Sequence, residues 1–220
     1  EMHDKVAFAV YDGSGNPVDL YCNKSGDKIE GSYFEYSLAE YLNALSSEYS
    51  EEELGNLAKA TLAYGSYAQH AFDYNVDTAN CDADLSGITA ETLAAHKMTK
   101  EGEIPEGLTF SGMTLILETE TTLCLYFQAD DISQYSFMLD GADVSAEQTQ
   151  KGLYCIKVVD IAAKDLDTPH TLAINDSCTI DFDAFSYAYS VVNDGENEAV
   201  CNAVKALYKY NEAANAYFTK

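Results

Sequence analysis

Two stretches of this chain, 146 residues apart, carry the same side chains at the spacing of a helix. Residues 56–72 read NLAKATLAYGSYAQHAF and residues 202–218 read NAVKALYKYNEAANAYF, with identities at Asn56/Asn202, Lys59/Lys205, Ala60/Ala206, Tyr64/Tyr210, Ala68/Ala214 and Phe72/Phe218. Ala60, Tyr64, Ala68 and Phe72 recur every fourth residue, which places them on one helical face. An internal repeat limits the chain to architectures in which one supersecondary unit is used twice. Upstream the likeness continues at shifting offsets. Phe34-Glu35-Tyr36-Ser37-Leu38-Ala39 parallels Asp183-Ala184-Phe185-Ser186-Tyr187-Ala188 at 149, and Met2–Asp12 parallels Leu166–Asp176 at 164, with Phe8 and Val10 under Leu172 and Ile174. The expected unit is a short strand region, a turn, a short helix and a long helix. The first copy carries fifteen extra residues within Pro17–Tyr33, the difference between those two offsets, and lacks a counterpart of residues 107–165. The chain therefore reads as beginning midway through its first repeat.

The long helices have start signals as well as stripes. Ser50-Glu51-Glu52-Glu53 has the form of a capping box, with three carboxylates at the positive end of the helix dipole. Leu54, Leu57, Ala58, Thr61, Leu62, Gly65, Ala68 and Phe72 follow at spacings of three and four, as do Val200, Ala203, Val204, Leu207, Asn211, Ala214 and Phe218. Shorter helices are expected over 37–46 and 184–192, so each repeat ends in a helical hairpin. Residues 107–183 switch to period two, with Leu123, Leu125 and Phe127 on one face and Cys124 and Tyr126 on the other. Strands are expected at 109–117, 121–128, 135–139, 153–159, 170–175 and 178–183, separated by turns such as Asp140-Gly141 and Lys151-Gly152. Six strands without intervening helices imply an antiparallel sheet or small sandwich. Val6, Phe8 and Val10 make a further strand before Asp12-Gly13-Ser14-Gly15-Asn16. The fold class is α+β, with a first repeat at 1–78, a connector at 79–106 holding a short helical segment at Thr89–His96, and a second repeat at 107–220.

Charge narrows the function. The 220 residues carry 12 lysines, no arginine and 37 acidic residues, a net charge of −25. The division at residue 106 gives −14 and −11, so the charge is spread evenly and is not an appended tail. Such a field repels nucleic-acid phosphate and anionic lipid, and no guanidinium fork is present to grip phosphate. Nucleic acid is excluded as a partner. No apolar run approaches the length of a membrane-spanning helix, and Glu1-Met2-His3-Asp4 has no signal-peptide pattern; the missing initiator at position one reads as a processed or excised chain. Membrane insertion is not expected. Six cysteines (Cys22, Cys81, Cys124, Cys155, Cys178, Cys201) form no C-x-x-C pair and no zinc-spaced cluster. Free buried thiols are favoured over three disulfides, because Cys124 and Cys155 sit in apolar strand patterns and Cys201 in a helix. The redox compartment stays open.

Candidate sites are few. Asp12, Ser14 and Asn16 fall at positions one, three and five of a calcium-loop spacing, with Asp19 beyond, yet Asn23 stands where a bidentate Glu belongs. A metal-free turn is the favoured reading, and no cofactor is expected. Asp165 and Asp167 flank Leu166 in a loop, where their side chains and that of Thr168 are expected to accept backbone amides. His3, His70, His96 and His170 are isolated in sequence from one another and from any motif-spaced Ser or Cys, so a triad is unsupported, and His70 is expected to face solvent. Tyr126, Tyr135 and Tyr154 are candidates for a ligand-binding sheet face, since tyrosine offers a platform for sugar rings. Tyr64, Tyr208, Tyr210 and Tyr217 sit at helical core spacings.

Three segments resemble a known kind of module. Ile161–Thr171, Ala184–Ser190 and Lys205–Phe218 are similar to a recurrent repeat module of large secreted or cell-wall proteins of Gram-positive, clostridial-type gut bacteria. Met2–Asn16, Leu57–Tyr74 with its Tyr64-Gly65-Ser66-Tyr67-Ala68-Gln69 core, and Leu115–Leu123 resemble the same module. The resemblance implies an extracellular or cell-wall location and a supporting role; it brings no assigned activity and no catalytic residues. The function expected is a non-catalytic accessory or interaction module of a larger surface or secreted protein, contacting protein or glycan. A carbohydrate-binding module is the alternative, and a glycosidase or peptidase the least favoured. Because its upstream partners are missing, strand Val6–Tyr11 is expected to pair with the other half's sheet or with another molecule, giving a homo-oligomer.

Overall fold

The computed structural model describes residues 2–9, 11–16, 20–21, 28–29, 33–117 and 121–219. Val10, Asp19, Cys22 and Asn23, used in the sequence reading, lie outside them. Thirteen strands and four helices are present among the described residues. In chain order, β1 (Lys5–Ala9), β2 (Leu20–Tyr21), β3 (Lys28–Ile29) and β4 (Tyr33–Ser37) precede a hairpin of α1 (Leu38–Glu48) and α2 (Glu53–Ala71). A segment with two 3-10 turns, Val76–Thr78 and Thr92–His96, leads into β5 (Thr99–Gly102), β6 (Thr109–Leu117), β7 (Thr121–Gln128), β8 (Phe137–Leu139) and β9 (Ala142–Val144). Next come β10 (Glu147–Gln148), β11 (Tyr154–Val158), β12 (His170–Ile174) and β13 (Cys178–Phe182), and a second hairpin of α3 (Ala184–Asp194) and α4 (Glu198–Phe218) ends the chain.

The strands from β5 to β13 form a two-sheet sandwich, all pairs antiparallel, in the orders β10-β11-β7-β6 and β5-β13-β12-β8-β9. With β6 to β13 taken as A, B, C, C′, D, E, F and G, the sheets are D-E-B-A and G-F-C-C′. That is the order of an immunoglobulin-type sandwich, here with β5 added outside G. Period-two alternation builds its core. Leu123, Leu125, Phe127 and Ile156 from one sheet meet Phe137, Leu172, Ile174, Ile180 and Phe182 from the other. Left-handed residues make the tight turns, Asp140 and Gly141 between β8 and β9 (φ 52° and 82°) and Asn175 and Asp176 between β12 and β13 (φ 49° and 55°).

The second core is helical. α4 buries Ala203, Val204, Ala206 and Leu207 against Phe185 and Ala188 of α3. Residues 79–97 also enter this core: Leu85, Ile88 and Leu93 are buried in it, Leu93 at 0% exposure. The stretch read as a connector is therefore, over residues 79–97, a strap packed on the helices. Leu115 and Ile161 border both cores and join sandwich to helices.

The two hairpins correspond closely. Helices α1 and α3 have 11 residues each and superpose in sequence at offset 146, the offset of the long helices. The 149 read from side-chain likeness is therefore three residues out of register. In the β1–β4 pair Val6 lies opposite Tyr36, and in the β12–β13 pair His170 lies opposite Phe182. Offsets of 164 and 146 map one pair onto the other, so in the repeat reading the extra residues between these strands number eighteen, not fifteen. β1 pairs with β4 of its own half and joins neither sheet of the sandwich. This corrects the expectation that the Val6–Tyr11 strand would add to the other half's sheet.

The capping box expected at Ser50 does not form. The N-cap of α2 is Glu52, without a side-chain cap bond. The corner between α1 and α2 explains this: the Glu52 N–H donates to the Tyr49 carbonyl at 2.9 Å, and that carbonyl lies so close to Gly55 that an added Cβ would stand 2.0 Å from it. Reciprocal boxes form instead at the short helices, Ser37 with Glu40 and Asp183 with Ser186. Phe72 and Phe218, placed on the buried stripes by spacing, are 67% and 58% exposed, since each lies at the last turn of its helix.

Candidate functional site

A cluster of polar side chains lies where the sandwich hands over to α3. β13 ends at Phe182, and the next residue, Asp183, is the N-cap of α3. Its Oδ1 accepts the Ser186 N–H at 2.8 Å, and its Oδ2 lies 2.6 Å from His96 Nδ1 on the strap. The Asp183 N–H donates to Ser186 Oγ at 3.0 Å, and Ser186 Oγ donates to the His96 carbonyl at 2.6 Å. The imidazole is walled by the edges of Phe185 and Tyr208, with ring centroids 5.3 and 5.9 Å away. Burial raises the Tyr208 phenol pKa, helped by Glu212, Asp167 and Asp183.

Serine, histidine and aspartate thus meet in space although they are scattered in sequence. The His–Asp half has the geometry of a catalytic triad. The serine does not: a nucleophile must give its proton to the imidazole Nε2, and Ser186 Oγ gives its proton to a backbone carbonyl. The arrangement is a capping box extended by one histidine, and it fastens the strap to α3.

A second polar cluster sits beside it. Asn211, 2% exposed on α4, donates to the Ala163 carbonyl at 2.8 Å and to Asp167 Oδ1 at 3.3 Å, and Asn215 donates to both Asp167 oxygens. Asp165 pairs with Lys164 at 2.6 Å. The Asp165/Asp167 loop was expected to satisfy its own amides; its carboxylates reach instead to Lys164 and to α4. Across the molecule His170 Nδ1 lies 2.7 Å from Asp140 Oδ2. His70 is exposed, as expected.

The three candidate tyrosines do not share a surface. Tyr154 pairs with Phe127, which places it on the core side of its sheet, whereas Tyr126 pairs with Cys155 on the outward side. Tyr135 precedes β8 in the opposite sheet and donates its hydroxyl to the Glu106 carbonyl at 2.8 Å. The register therefore removes the joint platform, because residues 126 and 154 differ in phase by one step of the pleat. Asp12 binds internally. Its Oδ1 accepts the Ser14 and Asn16 N–H groups, both at 2.8 Å, and its Oδ2 accepts Asn16 Nδ2 at 3.0 Å. These bonds lower the Asp12 pKa, and the loop Asp12, Ser14, Asn16 is a turn closed on its own aspartate.

The outward side of the β7–β11 pair carries what spacing alone did not connect. Cys124 stands opposite Lys157, and Cys155 opposite Tyr126, so the two cysteines are diagonal neighbours on one face. Both are buried, at 1% and 2% exposure, and both are free thiols, as are Cys81, Cys178 and Cys201. The Cys155 thiol donates to the Ile156 carbonyl at 3.6 Å, and the side-chain interaction between the two thiols lowers the Cys124 pKa and raises that of Cys155. Alternation in the sequence placed Cys124 and Tyr126 on the same face, but only strand order brings β11 beside β7.

Between α2 and α4 runs a groove that the strap crosses. Tyr67 donates its hydroxyl to the carbonyl pair of Cys81 and Ala83, at 2.7 and 2.9 Å, and holds the strap there. The groove is left as two open depressions of about 520 and 430 Å³ on either side. No family model matches this chain, and neither a curated protein nor a solved structure is similar to it.

Proposed function

We propose that this protein is a non-catalytic accessory or interaction module of a larger bacterial surface or secreted protein, working outside the cell or at the cell wall. The observation that carries the reading is the contact between α2 and α4. Tyr64 and Tyr210, equivalent at offset 146, stack on each other with centroids 5.7 Å apart and planes 9° from parallel. A contact between residues at equivalent positions is what a two-fold relation between the hairpins would give. A duplicated hairpin that packs against its own copy makes a stiff body, suited to spacing and presentation. The polar side chains at the junction support the same reading, because His96, Asp183, Ser186, Asp167 and Asn211 are spent on joining strap, sandwich and helices. No helix among the described residues is long and apolar enough to cross a membrane.

The partner in this reading is a protein or glycan of the cell surface, with self-association through β1 as the second contact. The test is direct. The purified chain is incubated with polysaccharide and peptide libraries, and no product is expected; turnover of any member overturns the proposal. For self-association, sedimentation over a wide concentration range is expected to show a dimer that Val6→Pro abolishes, since proline removes a ladder donor from the strand. A monomer at every concentration removes that part.

A further inference from the structure

We infer that Tyr64 and Tyr210 form a site of oxidative cross-linking, where a one-electron oxidant of the peroxidase and hydrogen peroxide class joins the two rings as dityrosine and ties α2 to α4. The inference rests on ring geometry and is independent of where the protein works. The rings stack with centroids 5.7 Å apart and planes 9° from parallel, inside the range of about 4.5–7 Å that stacked aromatic pairs adopt. Each ring rises from the middle of a long helix and packs against the helical core, which holds the pair together before any oxidation. Both are half-buried. Tyr64 also lines an open depression of about 290 Å³ beside Phe72, Tyr74 and Leu117, and this brings its ring to solvent.

Orientation decides which tyrosines can couple. The new bond joins carbons ortho to the two hydroxyls, and each carbon bonds through the π face of its ring. A near-parallel stack sets face against face. The Tyr36–Tyr41 pair has centroids 6.0 Å apart but planes at 62°, so it sets an edge against a face. Composition keeps the radical on phenol: the chain has 17 tyrosines and no tryptophan, so no indole, which is oxidised more easily, drains it. Burial pushes the Tyr64 pKa up to about 12, so the ring enters the reaction as a neutral phenol. Each phenol then gives up one electron and its hydroxyl proton. The two radicals couple to a carbon–carbon bond, and the two ortho hydrogens move to the oxygens and restore the rings. In sum two hydrogens leave the protein, and one hydrogen peroxide takes them up to become two waters. The stack turns a chance meeting of two radicals into a reaction between fixed neighbours.

The test treats the dilute full chain with a haem peroxidase and hydrogen peroxide, then separates the products by size under denaturing conditions. The single-chain product is expected to carry the blue emission of dityrosine. On digestion it should yield a linked pair of peptides that holds residues 64 and 210 and is lighter than their sum by two hydrogens. Tyr64→Phe and Tyr210→Phe keep the ring and its packing, and each is expected to lose that linked pair. Thermal melts establish that both variants are folded. A bond between positions 64 and 210 also restricts the unfolded chain, so the urea midpoint of the oxidised parent is expected to rise while those of the treated variants stay. Three results overturn the inference: no dityrosine in the single-chain product, an equal yield of it in Tyr64→Phe, or a link that maps to Tyr36 and Tyr41 with none between 64 and 210.

Discussion

Asp183 shows how much one carboxylate can hold. It caps α3 with one oxygen and anchors His96 with the other. Asp183→Ala is expected to lower stability by about 1–3 kcal/mol, by removing the cap and leaving buried donors without an acceptor. Urea unfolding with an unchanged slope checks this. Tyr64 gives a pH signature. Burial against Tyr210 holds its pKa at about 12, above the 10.0 of a free phenol. The folded state therefore favours the neutral ring; this stability is complete below pH 10 and is lost as pH climbs from 10 to 12. Melting temperatures across that range should fall less steeply for Tyr64→Phe, with tyrosinate absorbance as the parallel readout. At this scale the sequence was least legible. His96 and Asp183 lie 87 positions apart, and nothing in their local spacing pairs them.

The elements themselves were largely legible. Period-two alternation gave β6, β7, β11, β12 and β13 within a residue or two, because both faces of the sandwich impose burial on every second side chain. The missed strands are edges. β5 reads Thr-Lys-Glu-Gly and is exposed along its whole length, so backbone pairing with β13 alone defines it. Ser50 misled because a capping box is a local pattern, while the start of α2 is set by the fit of Gly55 under the Tyr49 carbonyl. Two glycines of that helix should behave oppositely. Gly55→Ala places a Cβ 2.0 Å from backbone oxygen and should destabilise by more than about 1 kcal/mol. At Gly65 the nearest atom is the Sδ of Met2, a flexible side chain, so Gly65→Ala should range from neutral to about 1 kcal/mol stabilising. Matched thermal melts of the two variants separate backbone fit from helix propensity.

At the scale of the molecule, two cores share a border at Leu115 and Ile161, and a strap packs into the helical one. Leu93, wholly buried on that strap, should cost about 2–5 kcal/mol when cut to alanine. Calorimetry should show one transition for the parent and a separate, earlier helical transition for Leu93→Ala. Composition set the surface but not this arrangement: a net charge of −25 makes the chain strongly acidic, whereas the order β5-β13-β12-β8-β9 comes from contacts far apart in the chain. The strap also changes what a break in the chain would mean. Leu85, Ile88 and Leu93 are seated in the helical core, and Tyr67 clasps the backbone between them and α2. A protease that nicks residues 73–80 would leave two fragments still gripping one another, migrating together until denaturant parts them.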